Sequence, residues 1–233
     1  LWNEPFYSRI LRSLNKVETE NIPTAGVLAQ DSVITMWWNR NFLSSLPKIH
    51  VQGLLKHECL HIVLKHTTVR RNTPHIIWNY ATDLAINSII PYNQLPEGGL
   101  VPGYALKPLT QEDMKKMSQE DIDVFNELSS IISKMPKNKT SEYYFEVLMK
   151  NQKIKQMAEN QEMCCSPNGE GNIPGVGFDS HEGWDELSNE EKEMLNEKIN
   201  EILKSAVEEA NQKGWGSISA ATAVQLNALV SRT

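Results

Sequence analysis

Cysteine is scarce in this chain, with three residues in 233. An odd number argues against a disulfide framework, and the adjacent Cys164 and Cys165 are too few to hold a zinc alone. The expected setting is a reducing compartment, the cytoplasm, with Cys59 serving as a small buried hydrophobe. Long apolar runs are also missing. None approaches the roughly 20 residues that cross a bilayer, and the first residues lack a signal-peptide layout, so no membrane partner is expected. Positive charge is in deficit. With 23 Lys and Arg against 29 Asp and Glu the net charge is −6, which argues against nucleic acid as a partner. There is no internal repeat and no low-complexity tail. What remains, 40% apolar and 22% charged, is the composition of a globular protein with a sizeable core.

Against that plain background stands His57-Glu58-Cys59-Leu60-His61, an H-E-x-x-H pattern. On an α-helix, residues four apart lie about 40° from each other around the axis, so His57 and His61 project from one face. Two neutral imidazoles at that spacing can grip one Zn²⁺, and the neighbouring carboxylate can act as base on a water the metal activates. The pattern needs a helical context and a third ligand before it carries weight. Both are on offer.

From the start, Glu4 to Glu18 has the spacing of an amphipathic helix, with Phe6, Ile10, Leu11, Leu14 and Val17 on one face. Pro23 to Leu28 and Val33 to Trp38 have strand composition, and Ala29-Gln30-Asp31-Ser32 between them predicts a β-hairpin. Pro47 marks a helix start, and the motif helix is expected from Lys48 to Thr68. Gly53 inside it points either to a close backbone approach or to a tolerated surface position.

The next helix is expected between Thr73-Pro74 and Pro91. It is almost wholly apolar, and its exceptions, His75, Asn79, Asp83 and Asn87, recur every four residues as one stripe. A solvated face would carry Lys and Glu, whereas buried polar groups must be paired or bind a metal. Asp83 is the candidate third ligand, the alternative being a hydrogen bond from Asp83 to a ligand histidine. His75 on the same stripe is another candidate. His66 lies five residues beyond His61, about 140° around a continuous helix, so it is expected to point away and to be structural or superficial.

Turn signals fill Tyr92 to Pro108, and Thr110 with Asp113 and Ser118 with Asp121 predict capped helix starts. Helices follow at Gln119 to Lys134 and from Ser141 into the 150s, with Tyr143 and Tyr144 as packing residues. Asn160 to Gly183 is a long Gly- and Pro-rich loop whose end carries His181, placed to ligate the metal or to assist an oxyanion. Ser188 with Glu191 caps a long helix to Lys213, and a last helix spans Ile218 to Val230.

On these residues the chain resembles the H-E-x-x-H metal-dependent peptidases of bacteria and phages, in which such a domain accompanies a von Willebrand A-like domain. The matching pieces are Pro23-Thr24-Ala25-Gly26, His57 to His61 with His66 and Arg70-Arg71, and Trp78-Asn79 through Ala81, Asp83 and Asn87. Leu95-Pro96-Glu97-Gly98, Glu142-Tyr143-Tyr144 and Asp179, His181 and Trp184 are similar as well. The resemblance implies a zincin-like fold, two histidine ligands, Glu58 as catalytic base and Asp83 as a ligand. The von Willebrand-like part is absent from these residues, so a stand-alone version or a fragment with a separate partner domain is expected.

The expected architecture is α+β and mainly helical, a single zincin-like domain over residues 1–233. Residues 1–92 would supply a hairpin and two metal-binding helices, and 93–233 a helical, loop-rich remainder. The expected function is zinc-dependent hydrolysis of a protein or peptide. Zn²⁺ would be held by His57, His61 and Asp83, with Glu58 as base and His181 at the oxyanion. The alternative, a non-catalytic zinc module such as a phage particle would use, would instead close the ion with four protein ligands. Hydrolysis of a non-peptide bond is the other alternative.

Overall fold

The computed structural model describes residues 1–30, 33–68, 70, 72–163 and 187–231. In chain order they form α1 (Pro5–Ser13), β1 (Asn15–Glu18), β2 (Ala25–Gln30), β3 (Val33–Trp38), α2 (Arg40–Ser45), α3 (Lys48–Val63) and α4 (His75–Asn87). A 3₁₀ turn (Tyr92–Gln94) follows, then α5 (Gln111–Lys116), α6 (Gln119–Ile132), α7 (Ser141–Met149), α8 (Gln152–Met163), α9 (Asn189–Lys213) and α10 (Ala220–Val230). The described chain is thus α+β and mainly helical. None of its helices is long and apolar enough to cross a membrane.

The chain divides into two compact units. The first comprises Leu1–Arg70, Ile89–Leu95 and Asp179–Thr233, the second Arg71–Ser88 and Pro96–Phe178. In the first, β2 and β3 pair antiparallel from Ala25 opposite Trp38 to Gln30 opposite Val33, as a hairpin should. β1 joins the other side of β3 in parallel, so among the described residues the sheet order is β1-β3-β2. The helix expected from Glu4 to Glu18 therefore stops early, at Ser13, where Leu14 turns extended. Val17 fits a helical face and a strand alike, and pairing with a distant strand decides between them. α2 had no counterpart in the periodicity; Asn39 caps it, its side chain accepting from the backbone N–H groups of Asn41 and Phe42.

α3 lies against β2, α1 and α9. From Gly53 to Val63 all but Leu55 are buried, so the helix is surrounded rather than laid on a surface. It ends at Val63, short of the expected Thr68, through a turn described below.

The second unit packs α4 against α7 and α8. Trp78, Tyr144, Leu84, Leu128, Ile132 and Leu148 dominate its core. Tyr144 is fully buried and its hydroxyl donates to the Pro136 carbonyl at 2.8 Å, so it packs as expected. α4 closes at Asn87 rather than Pro91, and Pro74, not Thr73, stands at its cap position without a side-chain cap. The capping boxes predicted at Thr110, Ser118 and Ser188 all form.

Candidate metal centre

The motif sits in the second half of α3, and the first half fixes that helix in place. Gly53 faces the 3₁₀ turn so closely that a Cβ there would lie 1.9 Å from the Gln94 carbonyl oxygen. The glycine thus serves a backbone approach, one of the two roles expected of it. One turn on, Lys56 is 1% exposed, and its ammonium donates to Glu4 Oε1 at 2.6 Å, Gln94 Oε1 at 2.7 Å and Ser217 Oγ at 2.8 Å. The Tyr7 ring covers it, 5.5 Å from Nζ to the centroid. Burial pushes the Glu4 carboxyl up, but hydrogen bonds from Lys56 and from the Ser217 backbone and hydroxyl outweigh it. The result is a carboxyl below its usual range. Sequence reasoning missed this clamp because a lysine beside a motif is ordinarily solvated; its place in an otherwise apolar helix was the available signal.

His57, Glu58 and His61 are all buried on the following turns. The two rings lie 4.5 Å apart between centroids, and His57 Nε2 is 2.8 Å from His61 Nε2. Both nitrogens are aimed at one point. Such a pair can share a proton or face one cation. Tetrahedral zinc with Zn–N bonds of ~2.0–2.1 Å sets its nitrogens ~3.3 Å apart, so the rings need to part by about half an ångström to accept it. The donor set fits a metal. Cys59 beside them is inert: fully buried, its Sγ 3.9 Å from the Tyr7 carbonyl, it has its thiol pushed well up by burial and then by the Glu58 carboxylate.

His66 does not point away. Lys65 takes a left-handed conformation, φ 62°, and the backbone N–H groups of Lys65 and His66 return to the carbonyls of Ile62 and His61 at 2.9 and 3.0 Å. That is a Schellman ending with lysine where glycine is usual, and it brings the residue after the turn back over the last helical turn. His66 is consequently fully buried, with Nδ1 3.2 Å from His61 Nδ1. The expectation that it points away assumed a continuous helix, and the early helix end removes that premise; of the structural and superficial roles expected, burial leaves the structural one.

In the second unit Asp83 is buried on α4, 3% exposed. Asn87, one turn on, is accounted for locally by donating to the Leu100 carbonyl at 2.9 Å. His75 and Asn79 are only half-buried, so the polar stripe deepens toward its end. His181 and the neighbouring Asp179 and Trp184 lie outside the described residues, as do Cys164 and Cys165.

Comparison with known proteins agrees with this chemistry. The model of a family described as "Putative metallopeptidase domain" matches residues 2–228. A protein of Thermotoga maritima described as "Uncharacterized protein" is 31% identical over 90 residues, which cover 37% of this chain and 23% of that one. No solved structure matches. A match over nearly the whole length places the chain in that metallopeptidase-domain family.

Proposed function

With that membership as premise, we propose that the chain is a zinc-dependent peptidase of zincin-like fold, with one Zn²⁺ held by His57, His61 and Asp83. The observation that carries the reading is the convergence of two buried Nε2 atoms at 2.8 Å, on a helix where a buried glutamate follows the first of them. His57, His61 and Asp83 each offer a ligand atom from a buried side chain, and two imidazoles with one carboxylate are a catalytic zinc donor set. When bound, the metal supplies a Lewis acid that polarises the scissile carbonyl and acidifies a water.

The remaining work belongs to the chain's own groups. Glu58 takes a proton from the attacking water and passes it to the leaving amine. His181, outside the described residues, is assigned the oxyanion role from its place in the sequence alone. In this reading a protein or peptide is the substrate, the cytoplasm the setting, and a von Willebrand A-like domain, separate from this chain or outside these residues, the partner.

Replacement of Glu58 by Gln tests this. The variant should keep its zinc, measured by elemental analysis, and lose about 10²- to 10⁴-fold in cleavage of a fluorogenic peptide library. A zinc-loaded E58Q protein that cleaves as well as wild type removes Glu58 as the base. Wild type that binds zinc and cleaves no peptide points to the structural module instead.

A further inference from the structure

His61 is engaged at both ring nitrogens. Its Nε2 meets His57 Nε2 at 2.8 Å and its Nδ1 meets His66 Nδ1 at 3.2 Å. All three rings are fully buried, and the His61 and His66 rings stand edge to face, 5.3 Å between centroids and 69° between planes. A neutral imidazole carries one N–H and one lone pair, so the two contacts of His61 cannot be set independently. If its proton sits on Nε2, the N–H points at the spot where the two Nε2 atoms converge. If it sits on Nδ1, the lone pair points there instead, and His66 Nδ1 must accept.

We propose that His66 is a positioning residue that holds His61 in the tautomer able to bind metal, by accepting the His61 Nδ1–H through its own Nδ1. The inference rests on the metal reading above. His66 then carries its own proton on Nε2, and the three histidines form one directed row in which a cation replaces the proton between His57 and His61. Hydrogen bonding of a ligand histidine through its other nitrogen fixes ring orientation and makes the ligand more basic. The row is built by the backbone. The Schellman ending sets residue 66 against residue 61 whatever their side chains, and Lys65 accepts a left-handed φ to complete it.

Two variants of similar shape separate acceptor chemistry from packing. His66→Asn keeps an acceptor oxygen at the position of Nδ1, whereas His66→Leu keeps the bulk and removes the acceptor. Zinc affinity is measured by competition with a chromophoric chelator on the whole chain. His66→Leu should bind zinc about 10- to 100-fold more weakly than wild type, and His66→Asn should recover most of that loss. Equal affinity of His66→Leu and wild type overturns the proposal, and so does His66→Asn no tighter than His66→Leu.

Should His66→Leu fail to fold, long-range ¹H–¹⁵N correlation spectra of the zinc-loaded wild type decide the matter. The proposal requires His61 protonated at Nδ1 and His66 protonated at Nε2, and a His66 proton on Nδ1 overturns it. Wild type that binds no zinc overturns this inference together with the metal reading. Zinc binding without peptide cleavage removes only the peptidase reading, and His66 keeps its place.

Discussion

The two ends of α3 are held by opposite means. Upstream of the motif, Gly53 and Lys56 fasten the helix with a backbone contact and a buried ion pair drawn from distant parts of the chain. Downstream, Lys65 and His66 shape the end with a local turn whose bonds span only a few residues. The first arrangement resists displacement of the whole helix; the second aims individual rings. Anchoring of the helix and orientation of its buried rings are thereby assigned to different stretches of one element.

The comparison breaks if upstream changes alter ligand chemistry, or if downstream ones unfold the protein. Lys56→Met should be the most damaging. It leaves the Glu4 carboxylate, 14% exposed, without its cation, and loss of one partner of a buried pair costs about 3 kcal/mol. Urea unfolding measures it, and a second change, Glu4→Gln, should recover part. Gly53→Ala follows. Its Cβ must displace the Gln94 carbonyl, a cost of about 2 kcal/mol after the helix-propensity gain of alanine. Unfolding of that variant, with zinc affinity per folded molecule unchanged, keeps the upstream half purely mechanical.

Lys65→Gly has the smallest effect and the opposite sign. It removes a left-handed penalty of about 1–2 kcal/mol and adds unfolded-chain freedom worth ~0.5–1 kcal/mol, a net gain near 0.5 kcal/mol. The midpoint of unfolding should rise slightly while zinc affinity stays put, because the same turn still presents His66. A fall in affinity would mean that the lysine does more than turn the chain.

What could be foreseen from residues alone follows the range of the interactions. Thr110, Ser118 and Ser188 announced their helices because each cap and its acidic partner are three residues apart. The hairpin was legible for the same reason, its strands being joined across residues 31–32. Asp83 stood out since an acid on a buried stripe lacks an ordinary explanation. β1 escaped, because its pairing partner lies twenty residues away and Val17 suits a helix equally well. The end of α3 escaped because no glycine marks it; a lysine in the left-handed region carries no warning in its identity. His66 was misplaced by that error alone. Lys56 was overlooked since its three acceptors, at positions 4, 94 and 217, adjoin it only after folding.

That last separation has a bearing on biosynthesis. Ser217 lies 161 residues beyond Lys56 in the chain, so a growing polypeptide exposes the two histidines and the glutamate long before the last acceptor for the ammonium has been translated. Closing so wide a loop is slow compared with forming the helix itself. The nascent protein therefore carries these three residues on a helix whose clamp stays one acceptor short until Ser217 has been made.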